Sequence, residues 1–401
     1  MGSLVIGLTG AFGCGCSFLA DKFFVNKFGY IKYSLSDILK ASFREKYGRD
    51  SKNRHELQVY GNELRGGNTS SFLAQKTVEK IKSDCINFAQ QYIVIDSIRN
   101  PAEIEYLRNS YTNFFLIAVF ADYNVRWSRV KETYHNSKDA FDEDEYKDQG
   151  LDEPIHGQKI SKCFFEADLV ISNNDTINFS SENRAFKDMN NRLVNYLNAF
   201  SNPKTSSPQL KESLMAIAYT NGRRSKCIKR RVGAIIVDPL NNIISSGFND
   251  VPQGFQDCLG ELGECYRDKR RKEYCENIAS YIAQQTQDHQ LIDQNKIADN
   301  IIKKIKMLEL CRALHAEENA IMNLVKSSSQ TDYSNYTLYA TTYPCNLCAN
   351  KITQVGIKKV IYFEPYPVEE AKKIFDEAKV LAEPFEGITF RAYFRAFTFD
   401  S

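Results

Sequence analysis

His315-Ala316-Glu317 and Pro344-Cys345-Asn346-Leu347-Cys348 are the two segments around which the sequence is organised. Imidazole nitrogen and thiolate sulfur are donors that zinc prefers, and a catalytic zinc keeps three protein donors and one open position. His315, Cys345 and Cys348 supply the three donors. The open position is left for water, whose pKa bound zinc lowers towards neutrality. A second group must move protons, and Glu317, two residues from the histidine, is near enough to do so without ligating the metal. Cys345 and Cys348 stand at i, i+3, so a helix that starts there carries both on one face. Pro344 suits such a start because its missing N–H costs nothing there. A helix N-terminus also lowers thiol pKa, which favours the metal-binding thiolate. A lone Cys-x-x-Cys reads equally well as a zinc knuckle or a redox pair, and a lone His before a helix as a cap. The combination in this order singles out a catalytic centre.

The flanking sequence builds an α/β domain around that centre. Leu210–Tyr219 reads as an amphipathic helix, Val232–Val237 as a strand, and Ile243–Asn249 as its antiparallel partner across the Asp238–Asn242 turn. His315 opens a helix to Val325 with Ala316, Ala320, Ile321 and Leu324 on one stripe. Tyr336–Thr341 is a strand that runs into the cysteine segment, and Gly356 caps the helix that follows. Lys359–Phe363 is expected as a strand, Val368–Ala378 as a helix and Ile388–Phe394 as a last strand. Five strands with interposed helices predict a three-layer α/β/α domain.

The 401 residues suggest two or three domains, and 43% hydrophobic with 25% charged residues is an ordinary globular composition. A net charge of +2 exerts no global pull towards nucleic acid or an anionic membrane. No apolar run approaches the ~20 residues of a membrane span. The 11 cysteines are odd in number and irregularly spaced, and Gly2–Gly10 is a strand-like run without the basic segment of a secretory signal. Together these predict a reducing, cytoplasmic setting with free thiols and bound metal.

In the first half, Leu4–Leu8 is a buried strand, and Thr9–Ser17 is a glycine-rich loop that leads into a helix. That order is the context a phosphate-binding loop requires. Gly10, Gly13 and Gly15 let backbone N–H groups turn towards phosphate oxygens. The pattern G-x-x-x-x-G-K-[ST] lies on Gly10 to Ser17, except that Cys16 occupies the lysine position. The hydroxyl of Ser17 remains, so nucleotide binding without phosphoryl transfer is expected. Gln91–Asp96, Phe114–Phe120 and Ala167–Asn173 read as further buried strands, which argue for a parallel sheet covered on both faces. The acidic stretch Asp139–Glu153 reads as a lid or loop. This half resembles P-loop nucleoside monophosphate kinases and dephospho-coenzyme A kinase, and the resemblance makes Arg126 and Arg129 candidates for clamping phosphate. The polar, proline-containing segment 201–209 divides this kinase-like domain (1–200) from the second domain (210–401), which carries an insertion at about 255–310.

Arg224-Ser225-Lys226-Cys227, Arg231-Val232-Gly233-Ala234, Gly247-Phe248-Asn249 with Pro252, and Cys311–Ile321 resemble deoxycytidylate deaminases. The resemblance implies the cytidine-deaminase fold, His315, Cys345 and Cys348 as zinc ligands, Glu317 as proton shuttle, and Asn249 on the pyrimidine or sugar. It also implies a homo-oligomer. Some members of that family carry a second, structural zinc, for which Cys258, Cys265, Cys275 and Cys311 are the candidates. The two-domain architecture resembles the bacterial anti-phage dCTP/dCMP deaminases. In that family, conversion of deoxycytidine nucleotides to deoxyuridine nucleotides depletes the pool during infection; for this chain a regulatory nucleotide, RNA or protein is an expected partner. A housekeeping dCMP deaminase of pyrimidine salvage and a polynucleotide deaminase acting on tRNA or single-stranded DNA are the alternatives. The near-neutral charge disfavours the polynucleotide reading. The basic run of Arg223, Arg224, Lys226, Lys229, Arg230 and Arg231 is a candidate for holding a substrate phosphate, with no one residue singled out.

Overall fold

Five strands of the first half, β1 (Leu4–Thr9), β2 (Ile31–Ser34), β3 (Tyr92–Ile98), β4 (Phe114–Phe120) and β5 (Leu169–Ser172), form a parallel sheet in the order β5-β4-β1-β3-β2. The structure, a computed structural model, describes residues 4–67, 69–84, 91–149, 159–174, 184–201, 206–285, 293–304, 310–327, 329–364 and 369–397. Every residue of β4 is buried, as is β1 from Val5 to Thr9. Strands covered on both faces need apolar side chains on both, which is why their sequences run apolar without alternation. Leu19, Phe23 and Phe24, from the helical stretch after β1, pack with Ile6, Leu8, Val94 and Ile117.

The second half forms its own sheet from β6 (Gly233–Val237), β7 (Ile243–Phe248), β8 (Thr337–Ala340), β9 (Lys359–Tyr362) and β10 (Leu381–Pro384), in the order β10-β9-β8-β6-β7. β6 is antiparallel to β7 and β8, and β8 is parallel to β9. The β8–β9 connection is the helix Asn346–Val355, the crossover that a parallel pair requires. Ala234 pairs with Gly247 across the hairpin, so these two share a face and Gly233 lies on the other. A Cβ on Gly233 would overlap the carbonyl of Ala218, in the helix Leu210–Gly222. A Cβ on Gly247 would overlap Ala316 and Ala320, in the helix Ala316–Ser327. Helices therefore cover both faces, and the predicted three layers are present. The insertion folds as the helices Cys258–Leu262, Tyr266–Gln285 and Gln294–Lys304.

Two expectations need correction. The chain divides into one unit of Met1–Ser213, Glu364–Tyr366 and Pro384–Ser401, and another of Leu214–Phe363 and Pro367–Glu383. The segment expected as the last strand of the second sheet, Ile388–Phe394, belongs instead to the first unit, and so do the residues that follow it. There β11 (Gly387–Ile388) pairs antiparallel with β5, and Tyr393–Phe397 is helical. Thr389 Oγ1 donates to the Ala167 carbonyl at 2.6 Å, and Glu212 accepts from the Ile388 amide at 2.7 Å. A short apolar run carries no mark of which sheet it joins. The acidic stretch is not a loop over its described part. Lys138–Gln149 is a helix whose Glu145 forms a buried, two-pronged ion pair with Arg126, at 2.6 Å on each prong. Of the predicted linker, residues 202–205 lie outside the described residues. Among the described residues no helix is long and apolar enough to cross a membrane.

Gly247 sits where the Ala316–Ser327 helix meets β7. Gly247→Ala is expected to destabilise the second unit by about 1–3 kcal/mol through overpacking, read as a lower denaturant midpoint for that unit.

Candidate functional site

The donors expected from sequence converge at the starts of two helices. His315 precedes the helix Ala316–Ser327, and its carbonyl accepts from Asn319 N at 3.0 Å. Cys345 is the N-cap of the helix Asn346–Val355, and its carbonyl accepts from Ala349 N at 2.8 Å. Cys348 lies one turn into that helix and is buried. Both cysteine Sγ atoms stand 3.3 Å from His315 Nδ1, and the three donor atoms lie within 4.8 Å of one another. Tetrahedral bonds of about 2.0 Å to nitrogen and 2.3 Å to sulfur place such donors roughly 3.5 Å apart. The donor set and its spacing fit zinc.

Local hydrogen bonds hold this geometry. Glu318 accepts from the His315 amide at 3.2 Å and takes Lys351 Nζ at 2.5 Å, which ties the histidine helix to the cysteine helix. Leu314 and Asp250 exchange backbone bonds of 2.8 and 3.2 Å and so fix the approach to His315 from the segment after β7. Ser245 Oγ donates to the Ala320 carbonyl at 2.6 Å, and Asn319 and Asn323 donate to carbonyls of β7. Sequence patterns identify the donors but not these side chains.

The electrostatics of the group follow from burial and mutual hydrogen bonding. The Cys345 thiol is lowered to about 4, first by the hydrogen bond from Cys348 and then by that from His315. Cys348 is raised, because its proton is the one Cys345 accepts and because it is buried. His315 is raised, chiefly by its bond to Cys345. Burial raises the Glu317 carboxyl, only 3% exposed, above the ordinary carboxylate range.

Asn249 follows β7, and its amide clasps the loop before β6. Oδ1 accepts from Val232 N at 2.7 Å and Nδ2 donates to the Arg230 carbonyl at 2.9 Å. One N–H and one lone pair of that amide remain beyond these bonds. Burial lowers the pKa of the Arg230 guanidinium, which lies within electrostatic reach of Glu317. The four cysteines considered for a second zinc do not converge. Among the described residues His315, Cys345 and Cys348 are the only such donor cluster, so Cys258, Cys265, Cys275 and Cys311 form none. Cys265 and Cys275 are ten residues apart along helical chain, roughly 15 Å of axial rise.

The glycine loop of the first unit forms a second candidate site, a cavity of about 260 Å³ lined by Gly10, Gly13, Gly15, Ser17, Asp96 and Arg129 among others. Gly13 and Gly15 have φ of 83° and 97°, and a Cβ on Gly10 would come within 2.5 Å of the Val119 carbonyl. Ser17 Oγ donates to Asp96 Oδ2 at 2.6 Å, and burial raises the Asp96 carboxyl. Cys16, at the lysine position, lies 3.5 Å from Cys14, sulfur to sulfur. The two arginines expected as clamps are engaged with protein. Arg126 binds Glu145 and the Ala121 carbonyl, while Arg129 donates to the carbonyls of Gly13 at 3.1 Å and Asn173 at 2.6 Å. The sequence shows the arginines but not the carboxylate and carbonyls that claim them.

Residues 208–364 match the family described as the cytidine and deoxycytidylate deaminase zinc-binding region. The deoxycytidylate deaminase of Schizosaccharomyces pombe is 33% identical over 168 residues, which are 42% of this chain and 41% of that protein. The deoxycytidylate deaminase of Enterobacteria phage T4 is 30% identical over 163 residues, 38% of this chain and 77% of that one. A crystal structure of the dCMP deaminase of cyanophage S-TIM5 with dCMP and dUMP is similar over 45% of this chain and 99% of its own, at 24% identity and a TM-score of 0.30. The chain belongs to the deoxycytidylate deaminase family, a family of zinc-dependent hydrolytic deaminases. It spans less than half the length of the Schizosaccharomyces pombe protein and of the deoxycytidylate deaminase of Saccharomyces cerevisiae, 41% and 45%.

Cys348→Ala is expected to lose bound zinc, whereas Glu317→Ala keeps it, as measured by elemental analysis of the purified proteins. Glu317 makes no part of the donor set, so loss of metal from both variants would contradict the assignment.

Proposed function

We propose that this protein hydrolyses the C4 amino group of deoxycytidine nucleotides, dCMP and dCTP, giving the deoxyuridine nucleotide and ammonia. The carrying observation is that the Sγ atoms of Cys345 and Cys348 each stand 3.3 Å from His315 Nδ1, with buried Glu317 two residues beyond His315. Family membership supports dCMP as a substrate, since the relatives named above are deoxycytidylate deaminases. Zinc, when held by the three donors, supplies an acidified water near neutral pH. Glu317 would carry the two protons of the attacking water in turn, one to the ring nitrogen and one to the amine that leaves as ammonia, while the water oxygen stays on C4. Asn249 holds the Arg230–Val232 loop and offers its remaining polar capacity to the base or sugar.

The first unit binds a nucleotide in the Gly10–Ser17 loop and controls the deaminase. Positive-φ glycines and the Ser17–Asp96 pair support this reading. Cys16 supplies no cation to the β- and γ-phosphates, so the loop binds nucleotide without transferring its phosphoryl group. A zinc deaminase joined to such a controller, working as a homo-oligomer, is a regulated switch on the deoxycytidine nucleotide pool, a device suited to starving an infecting phage.

Chromatographic product analysis with dCMP, dCTP and cytosine-containing oligonucleotides tests the reading. Conversion of the free nucleotides is expected, and conversion confined to oligonucleotides overturns it. Glu317→Ala is expected to lower kcat by about 100- to 10,000-fold, the usual contribution of acid–base catalysis, with zinc retained. Gly15→Asp, which places a carboxylate in the loop, is expected to abolish binding of ATP, GTP or dTTP to the first unit and any effect of that nucleotide on deamination. An unchanged nucleotide response argues against the controlling role.

A further inference from the structure

Cys14 and Cys16 stand on either side of Gly15 in the glycine loop of the first unit, and both line its cavity. Both are free thiols, and their sulfurs are 3.5 Å apart. The chain turns at Gly15, whose φ is 97°, and the two side chains meet on one side of the turn. Gly10 makes room for them, because a Cβ there would come within 2.5 Å of the Cys14 sulfur and 3.2 Å of the Cys16 sulfur. A disulfide bond is about 2.0 Å long, so an approach of roughly 1.5 Å joins the pair. The hydrogen bond from Cys16 lowers the Cys14 thiol against the effect of its burial, and Arg126 and Arg99 lower it further. The same bond raises Cys16. Cys14 is therefore the first of the two to become the nucleophilic thiolate, and Cys16 keeps its proton. The backbone on both sides is anchored. The Cys14 amide donates to the Ala11 carbonyl at 3.1 Å, and the Cys14 carbonyl accepts from Asn173 Nδ2 at 2.7 Å. Ser17, next to Cys16, donates to Asp96 at 2.6 Å. Closure of the sulfurs is thus taken up at Gly15, whose backbone lines the cavity.

We propose that Cys14 and Cys16 are an oxidation site, a dithiol that hydrogen peroxide converts to a disulfide, and that this disulfide closes the glycine loop to nucleotide. The Cys14 thiolate attacks one peroxide oxygen and the O–O bond breaks, giving Cys14 sulfenic acid and a hydroxide that takes up the proton Cys14 had released. The Cys16 sulfur then attacks the sulfenic sulfur. The S–S bond forms, the S–O bond breaks, and the oxygen leaves as water with the Cys16 proton. The two thiols together lose two electrons, and the peroxide becomes two waters. A small-molecule dithiol reverses the change by thiol–disulfide exchange. The effect on nucleotide rests on the reading of the loop as a nucleotide site; formation of the disulfide stands without it.

The test treats the full-length protein with hydrogen peroxide, alkylates the free thiols and digests with trypsin for mass spectrometry. Cleavage after Lys22 releases a peptide that holds Cys14 and Cys16 and no other cysteine. That peptide is expected to escape alkylation, to be lighter by two hydrogen atoms and to regain both thiols with dithiothreitol. Binding of ATP, GTP or dTTP, measured by equilibrium dialysis, is expected to be lost on oxidation and recovered on reduction. Cys14→Ser, which leaves one thiol of the pair, is expected to bind the nucleotide equally before and after peroxide. A peptide that still takes the alkylating agent, or that carries sulfinic acid without a disulfide, overturns the site. A disulfide that leaves nucleotide binding undiminished, or a peroxide-sensitive Cys14→Ser, overturns the closing of the loop. A reduced wild type that binds none of the three nucleotides defeats the nucleotide reading, and the peptide mass still decides the disulfide.

Discussion

The helix that begins at His315 rests on β7 at a separation only a glycine allows. Gly247 has no side chain to hold the two apart, so Ala316 and Ala320 lie against its backbone. Ser245, Asn319 and Asn323 then close three side-chain bonds between strand and helix. At about 1 kcal/mol each such bonds are modest, but they act on an element that the missing Cβ has already placed. The metal centre inherits its accuracy from this contact. His315 and Glu317 are positioned by the helix, the helix by the strand, and the helix of the two cysteines is joined to that of the histidine through Glu318 and Lys351.

Much of this was legible in the sequence because it is written in local pattern. The runs Leu4–Leu8 and Phe114–Phe120 announce strands buried on both faces, and Pro344 with the i, i+3 cysteines announces a helix start. What was not legible depends on contacts between distant residues. Nothing in Glu145 marks it as the partner of Arg126, so an acidic stretch read as a loop and two arginines read as phosphate clamps. Nothing in Ile388–Phe394 distinguishes an added edge of the first sheet from the last strand of the second. Four cysteines in one region suggested a shared metal, yet Cys265 stands just before the Tyr266–Gln285 helix and Cys275 nearly three turns along it.

The two candidate sites use opposite means to meet charge. In the glycine loop, where Gly13 and Gly15 have positive φ, it is largely the backbone of Gly10, Gly13 and Gly15 that lines the cavity. At the zinc-type centre, side chains do the work, and helix starts favour the thiolate form of the cysteines. Cys16 stands in the glycine loop at the position where the sequence pattern expects a lysine, and its sulfur lies 3.5 Å from that of Cys14.

The return of the chain to the first sheet has a consequence for how the protein is made. Thr389 and Ala167, bonded side chain to backbone, stand 222 residues apart in sequence. During synthesis the outer edge of β5 is exposed while the entire second unit is being made, because β11 is translated after it. An uncovered edge is a template for pairing with other chains, and N-terminal segments otherwise fold as they emerge. The first unit can therefore complete its sheet only after the deaminase unit has been translated. Assembly of the first unit is thus timed by translation of the second.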